Sequence, residues 1–160
     1  MRELDNSQWG FESNCFVCER RNERGLRIPF AHDEESDSVV AEFTLDDAFS
    51  GAPSYVHGGV VLAVLDEAMA WATIAVAHRF AVTRDTTTHF ERPVRVGRTY
   101  RVEAQVVGTA DDLLSTEATV RDGSDRVCAT ARASFVPLGE AQAVRAVGSP
   151  LSGDDRTYLT

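Results

Sequence analysis

Residues 60–76 read VVLAVLDEAMAWATIAV and form the longest apolar stretch of the chain. Ala, Leu and Met are strong helix formers, and only Asp66, Glu67 and Thr73 interrupt the apolar run. We therefore predict one long, buried helix. Its length approaches that of a membrane span, but each of the two carboxylates would cost roughly 2.5 to 3.5 kcal/mol at a bilayer centre, so we expect no membrane partner.

Segments with the alternating pattern of half-buried strands lie on both sides of this helix. The predicted strands are 38–45 before the helix and 81–93, 99–108, 113–121 and 127–136 after it, with a first strand near 26–30. Short turns such as Asp122-Gly123 join consecutive strands and favour antiparallel pairing. The order predicts an α+β fold in which an antiparallel sheet of five to six strands wraps around one long central helix.

The central helix is apolar on nearly all of its sides, and a single sheet covers only one of them. Another surface must therefore cover the remainder. We expect a second copy of the chain to supply it, in a homodimer or in a homotetramer of two dimers.

Length and charge limit the domain organisation and the partners. The chain has 160 residues and a formal charge of -9, which favours one domain and disfavours nucleic acid as a partner. We expect an N-terminal segment over 1–14, a single domain over 15–138 and a polar tail over 139–160. The start of the chain lacks a basic region followed by an apolar one, so we expect a cytoplasmic protein with its three cysteines as thiols.

The entrance of the predicted helix carries the most informative residues. Two glycines, Gly58 and Gly59, let the backbone approach a ligand closely, and unpaired N–H groups there form a candidate oxyanion hole. Asp66 follows about two turns into the apolar helix, where an unpaired carboxylate is costly. One interpretation makes Asp66 a general base or a nucleophile. The other pairs Asp66 and Glu67 with buried arginines or with hydroxyls across an interface.

Three ordered motifs resemble one known family. Residues 55–68, YVHGGVVLAVLDEA, resemble the helix-entrance motif of hotdog-fold acyl-CoA thioesterases, the group that includes the phenylacetate-degradation thioesterase. Residues 87–93, TTHFERP, resemble the end of the family's central strand. Residues 15–26, CFVCERRNERGL, are similar to an N-terminal extension found in one branch. The resemblance covers residues 15–137 and implies the hotdog fold.

The resemblance also implies roles for particular residues. Asp66 takes the place of the catalytic acid, and Gly58 takes that of the glycine whose N–H polarises the thioester carbonyl. His57 would hold a water or the carbonyl, and Thr83 would help to place the attacking water from across the subunit interface. Several members carry Asn six residues before this histidine, whereas Gly51 stands here, so the task of holding the water falls to His57 or Thr83.

Two further residues beside these belong to the predicted substrate site. Gly59 follows the oxyanion glycine directly. Glu67 lies about 100° around the helix from the acid, where it would support the substrate site or pair at the interface.

A local excess of positive charge marks the middle of an acidic chain. Between residues 79 and 101 the acidic residues are only Asp85 and Glu91, and the basic ones are Arg79, Arg84, Arg92, Arg95, Arg98 and Arg101. Arginine forks bind phosphate groups well, so we expect Arg92 and Arg95 to bind the phosphates of CoA. The alternative is an ordinary solvated strand face.

The sequence predicts neither a metal nor a cofactor. Cys15 and Cys18 have the spacing of a zinc pair, but a structural zinc site needs four ligands, and the chain offers no second close Cys or His pair. No glycine-rich nucleotide motif occurs.

Taken with the resemblance, these features favour a thioesterase that hydrolyses an acyl-CoA to the free acid and CoA. Two alternatives stay open. One is hydration or dehydration of acyl thioesters on the same fold, and the other is a non-catalytic acyl-CoA-binding protein.

Overall fold

The computed structural model describes residues 1–9 and 12–150. The described residues form seven strands, two α-helices and two short 3₁₀ turns. The strands are β1 (Arg2–Leu4), β2 (Phe30–Asp33), β3 (Ser38–Thr44), β4 (Ala81–Phe90), β5 (Thr99–Thr109), β6 (Leu114–Asp122) and β7 (Val127–Pro137). The helices are α1 (Gly58–Ala75) and α2 (Glu140–Val147), and the 3₁₀ turns are Asn6–Trp9 and Asp47–Phe49.

All seven strands belong to one sheet in the order β1-β2-β3-β5-β6-β7-β4, and every neighbouring pair is antiparallel. The α+β fold with one long helix packed against an antiparallel sheet is therefore confirmed. The seventh strand is β1, a three-residue segment too short to show an alternating pattern. The first predicted strand, placed near 26–30, begins instead at Phe30, because the Leu26 N–H donates to the Phe16 carbonyl and Ile28 to Val17.

Helix α1 lies on the inner face of the sheet and forms the centre of the core. Leu65, Ala68, Met69 and Ala72 are completely buried. By length and composition α1 would also suit a membrane span, with a mean hydropathy of 1.5, but more than half of it is buried inside the fold. It is the core helix that its sequence predicts.

The chain itself covers more of α1 than the sequence analysis expected. Val17, Leu26 and Ile28 from the N-terminal segment, and Ala143 from α2, join the same buried cluster as α1. The first half is less covered, since Leu62 and Ala63 are only partly buried. The surface left for a second copy is therefore the first half of α1, not the whole helix.

Strand β4 forms one edge of the sheet and pairs only with β7 among the described residues. Its ten residues are nearly all exposed, including Val82 and Phe90, which are 45% and 54% exposed. A long edge strand with exposed apolar side chains is a template for pairing with another strand. The open edge lies beside the open half of α1, since Thr83 contacts Asp66 and Phe90 lies next to Gly58.

Candidate active site

A histidine side chain caps the N-terminus of α1. His57 is the N-cap residue, and its Nδ1 accepts the Gly59 N–H at 2.9 Å, while its carbonyl accepts the Val60 and Val61 N–H groups. Within the described residues this leaves the Gly58 N–H without an acceptor. The N–H lies at the positive end of the helix dipole and is exposed, so it is available to an oxyanion.

The same hydrogen bond indicates which ring nitrogen of His57 carries the proton. A neutral imidazole whose Nδ1 accepts a hydrogen bond carries its proton on Nε2. His57 is exposed, so this Nε2–H can donate to a carbonyl or to a water. The Gly59 N–H is already used by the cap, and Gly58 is therefore the glycine that remains to polarise a bound group.

Gly51, the residue that replaces the family's asparagine, lies directly against this histidine. A Cβ at Gly51 would lie 3.3 Å from both Cα and Cδ2 of His57, closer than most such contacts. The space available to an asparagine side chain is thus limited by His57.

Asp66 and Thr83 form the second part of the site. The Thr83 hydroxyl donates to Asp66 Oδ1 at 2.8 Å, joining the middle of α1 to the start of β4. The pairing of β4 with β7 shifts register between Thr83 and Asp85, and such bulges redirect side chains near functional sites. The hydrogen bond orients the carboxylate and leaves the hydroxyl oxygen free to accept one from water.

This contact corrects one expectation. Thr83 was expected to reach the catalytic acid from the opposite side of a subunit interface, but it hydrogen-bonds to Asp66 of its own chain. Strand β4 follows α1 directly and folds back along it, which brings residues 17 positions apart into contact. Asp66 and Thr83 therefore belong to the same half of any shared site.

Gly58 and Asp66 are too far apart to serve one carbonyl group within one chain. They are eight residues apart on α1, which is about 12 Å along the axis at roughly 1.5 Å per residue. Reacting atoms need to approach to roughly 3 to 3.5 Å. Each chain thus carries two half-sites, one built from His57 and Gly58 and the other from Asp66 and Thr83.

The His57 and Gly58 half-site continues into the end of β4 and the loop behind it. A Cβ at Gly58 would lie 3.6 Å from Cζ of Phe90, so this ring lies beside the free N–H. The Val56 N–H donates to the Val94 carbonyl at 2.8 Å, and Tyr55 bridges to Arg95. The loop after β4 therefore runs next to the helix entrance.

A positively charged groove of about 460 Å³ opens in this loop region. Four arginines and one aspartate line it, namely Arg92, Arg95, Arg98, Arg126 and Asp122. Arg95 stacks over the Tyr55 ring at 5.2 Å, and Arg92 Nη1 donates to the Val127 carbonyl at 2.6 Å. Arg92 and Arg95 thus share one groove, as a phosphate-binding role requires.

The groove also contains a residue that sequence reasoning missed. Arg126 lies outside the predicted basic segment and is held by Asp122, whose Oδ2 is 2.8 Å from its Nη2. The turn between β6 and β7 places Arg126 at the groove. In the sequence, its position shortly after Asp122-Gly123 was the only signal for this placement. Of the six arginines in the predicted segment, Arg79, Arg84 and Arg101 do not line the groove.

Glu67 follows Asp66 on α1 and contacts the N-terminal segment. It accepts a hydrogen bond from the Cys15 thiol at 3.3 Å, and burial raises its pKa to about 8. The substrate-site role of Glu67 stays a prediction, whereas its contact with the N-terminal cysteines is direct.

The fold alone identifies the class of protein. One long helix packs against an antiparallel sheet, and this arrangement is the hotdog fold. Residues 54–129, from the helix entrance into β7, match the thioesterase superfamily. The resemblance to hotdog-fold thioesterases is thereby confirmed. No curated protein matches the chain.

Solved structures show the same fold at low identity. A thioesterase superfamily protein superposes with a TM-score of 0.72 at 22% identity, covering 85% of this chain and 66% of its own. The PaaI protein of E. coli, from the phenylacetic acid degradation operon, gives 0.65 at 23% identity, with 71% and 81% covered. A Streptococcus mutans protein bound to acetyl-CoA gives 0.61 at 17% identity, with 64% and 82% covered.

Proposed function

We propose that this protein hydrolyses an acyl-CoA thioester to the free acid and CoA. The observation that carries the proposal is the Asp66 carboxylate, held by the Thr83 hydroxyl on a helix whose entrance presents a free Gly58 N–H. Membership of the matched segment in the thioesterase superfamily supports it, as does the acetyl-CoA bound to a protein of the same fold.

The two half-sites suit the two needs of thioester hydrolysis. Asp66 takes a proton from the water that attacks the carbonyl carbon, or attacks that carbon itself to form a mixed anhydride that water then hydrolyses to the free acid. In both routes the Gly58 N–H and the His57 Nε2–H stabilise the negative charge on the carbonyl oxygen. Collapse of the tetrahedral intermediate breaks the carbon–sulfur bond. The CoA thiolate then takes up the proton and leaves.

A homodimer paired through β4 brings the two half-sites together. In an antiparallel pairing of two copies of β4, the start of one strand lies beside the end of the other. Thr83 is near the start and Phe90 is at the end, and Phe90 lies beside Gly58. Asp66 and Thr83 of one protomer would then face the partner subunit's Gly58, giving two composite sites per dimer.

The basic groove completes the proposed substrate site. It adjoins the helix entrance, so the CoA phosphates would lie on Arg92 and Arg95 of the protomer that supplies Gly58. The acyl group would extend towards the open half of α1, between the protomers. The cytoplasmic location and the division into segments 1–14, 15–138 and 139–160 stay predictions.

Release of free CoA from a panel of acyl-CoA substrates tests the proposal. Hydrolysis yields one CoA per acid, whereas a hydratase yields a new acyl-CoA and a binding protein yields no product. Asp66→Asn should lower turnover by roughly 100-fold or more. Asp112→Asn, which removes the same charge from the exposed turn between β5 and β6, is the matched control and should retain activity. Equal turnover in Asp66→Asn and the control would exclude the assigned role.

A further inference from the structure

Three metal-ligating side chains meet where the N-terminal segment crosses α1. The sulfurs of Cys15 and Cys18 and a carboxylate oxygen of Glu67 all lie within 4.8 Å of one another. None of the three contacts the Asp66 and Thr83 pair. The proposed thioesterase mechanism therefore does not use these three residues.

A tight backbone turn carries the two cysteines and brings their sulfurs together. The Cys18 N–H donates to Cys15 Sγ at 3.5 Å, and backbone hydrogen bonds from Leu26 to Phe16 and from Ile28 to Val17 hold the turn in place. Two cysteines at this spacing commonly bind the same metal ion.

The polar contacts of the Glu67 carboxyl, among the residues that the structure describes, are with the two cysteines. Glu67 forms no ion pair there, and it hydrogen-bonds to Cys15 at 3.3 Å and to Cys18. A thiol is a weak hydrogen-bond donor, so these contacts satisfy the buried carboxyl poorly. Cys15 and Glu67 line a cavity of about 360 Å³, which leaves room for a further ligand beside them.

A disulfide between the two cysteines is the competing chemistry. It would remove the S–H groups of both cysteines, leaving the Glu67 carboxyl with no donor among the described residues. A divalent cation would instead satisfy all three groups, whose protons would leave to solvent as it binds. The geometry therefore favours a metal over a disulfide.

We propose that Cys15, Cys18 and Glu67 bind a zinc ion, with water or an external ligand in the fourth position. Two thiolates and one carboxylate form a donor set that suits Zn²⁺, and three protein ligands with one open position are found in many zinc sites. The ion would tie the N-terminal segment to the central helix one residue from Asp66. The sequence showed only the cysteine pair, because Glu67 lies 52 residues further along.

Metal analysis of the wild-type chain, purified with a reductant and without added chelator, is the first test. We expect about one zinc per chain. After removal of the metal, titration with Co²⁺ should give the sulfur-to-cobalt charge-transfer band and the intense visible bands of a tetrahedral site. Cys15→Ser, Cys18→Ser and Glu67→Gln should each weaken Co²⁺ binding by ~10-fold or more. Cys128→Ser, a buried cysteine outside the cluster, should bind as wild type does.

Several results would overturn the proposal. One is wild-type chain that holds no zinc and gives no cobalt spectrum, and another is binding that survives all three substitutions. Thiol counting in denaturant with chelator, on chain purified without reductant, should find three thiols per chain, whereas a single thiol would show a disulfide. The wild-type cobalt titration needs no variant, so misfolding of a variant does not affect that result. Neither readout depends on thioesterase activity, so this proposal and the proposed function can fail separately.

Discussion

At the scale of single residues, the free Gly58 N–H is the feature that a substitution can remove most cleanly. Gly58 is the first residue of α1, where proline is tolerated, and the extended backbone of His57 is compatible with a following proline. Gly58→Pro should therefore keep the helix and delete the donor. We expect kcat for CoA release to fall by roughly 10² to 10³.

Gly58→Ala is the matched control because it keeps the N–H. The added methyl group would meet Phe90 at an ordinary contact distance of 3.6 Å, so folding should be unaffected. If the alanine and proline variants lose activity equally, the loss comes from crowding, and the Gly58 N–H does not stabilise an oxyanion.

His57 has two tasks that two substitutions separate. His57→Ala removes the acceptor for the Gly59 N–H and should lower the free energy of unfolding by about 1 kcal/mol. His57→Asn keeps a capping oxygen and should restore most of that stability. Both lack the imidazole Nε2–H, so CoA release should be slower in both.

Urea unfolding measures the first effect and steady-state kinetics the second. Wild-type turnover in His57→Asn would show that the imidazole takes no part in the reaction. Equal stability in all three proteins would show that the cap contributes nothing to α1.

At the scale of elements, the loop after β4 and the turn before β7 form the phosphate groove. Replacing both Arg92 and Arg95 by Ala should raise KM for acyl-CoA by roughly tenfold or more, with little change in kcat, because these side chains would hold the nucleotide and not the reacting carbonyl. Added salt should weaken wild-type binding in the same direction.

Replacing both Arg79 and Arg101 by Ala removes the same two charges outside the groove, and it should leave KM unchanged. A short thioester without the nucleotide provides a second comparison, since the double variant should process it as wild type does. An equal loss on the short substrate would make the two arginines structural.

The elements that the sequence predicted well are those with strong local patterns. The apolar run from Val60 marks α1, and alternation marks β3 and β5 to within a residue. Asp66 and Gly58 could be named because glycines at a helix entrance and an acid in an apolar helix are local signals. The motif also suggested Thr83, but not that it bonds to Asp66 of its own chain.

What the sequence could not predict depends on contacts between distant segments. Arg126 reaches the groove through a hairpin, and Glu67 meets Cys15 through the packing of the N-terminal segment on α1. Strand β1 is held by pairing with β2, and its three residues have no pattern of their own. Such contacts join segments that are far apart in the sequence, so no motif or residue spacing predicts them.

At the scale of the whole molecule, the exposed β4 edge predicts self-association. Ten largely exposed strand residues beside a half-covered helix leave apolar surface that a second copy would bury. Sedimentation equilibrium should give twice the chain mass or a multiple of it at micromolar concentration. A monomer that retains full CoA-releasing activity would rule out the composite site.

Mixing inactive variants tests the central claim, that each active site joins Asp66 of one protomer to Gly58 of the other. Asp66→Asn and Gly58→Pro, each inactive alone, should recover about a quarter of wild-type CoA release after subunit exchange, because half of the dimers are mixed and each has one intact site. Asp66→Asn mixed with Thr83→Ala should recover nothing beyond the residual rate of each, since both residues lie in the same half-site. Recovery in the second mixture, or none in the first despite demonstrated exchange, would contradict this assembly of the site.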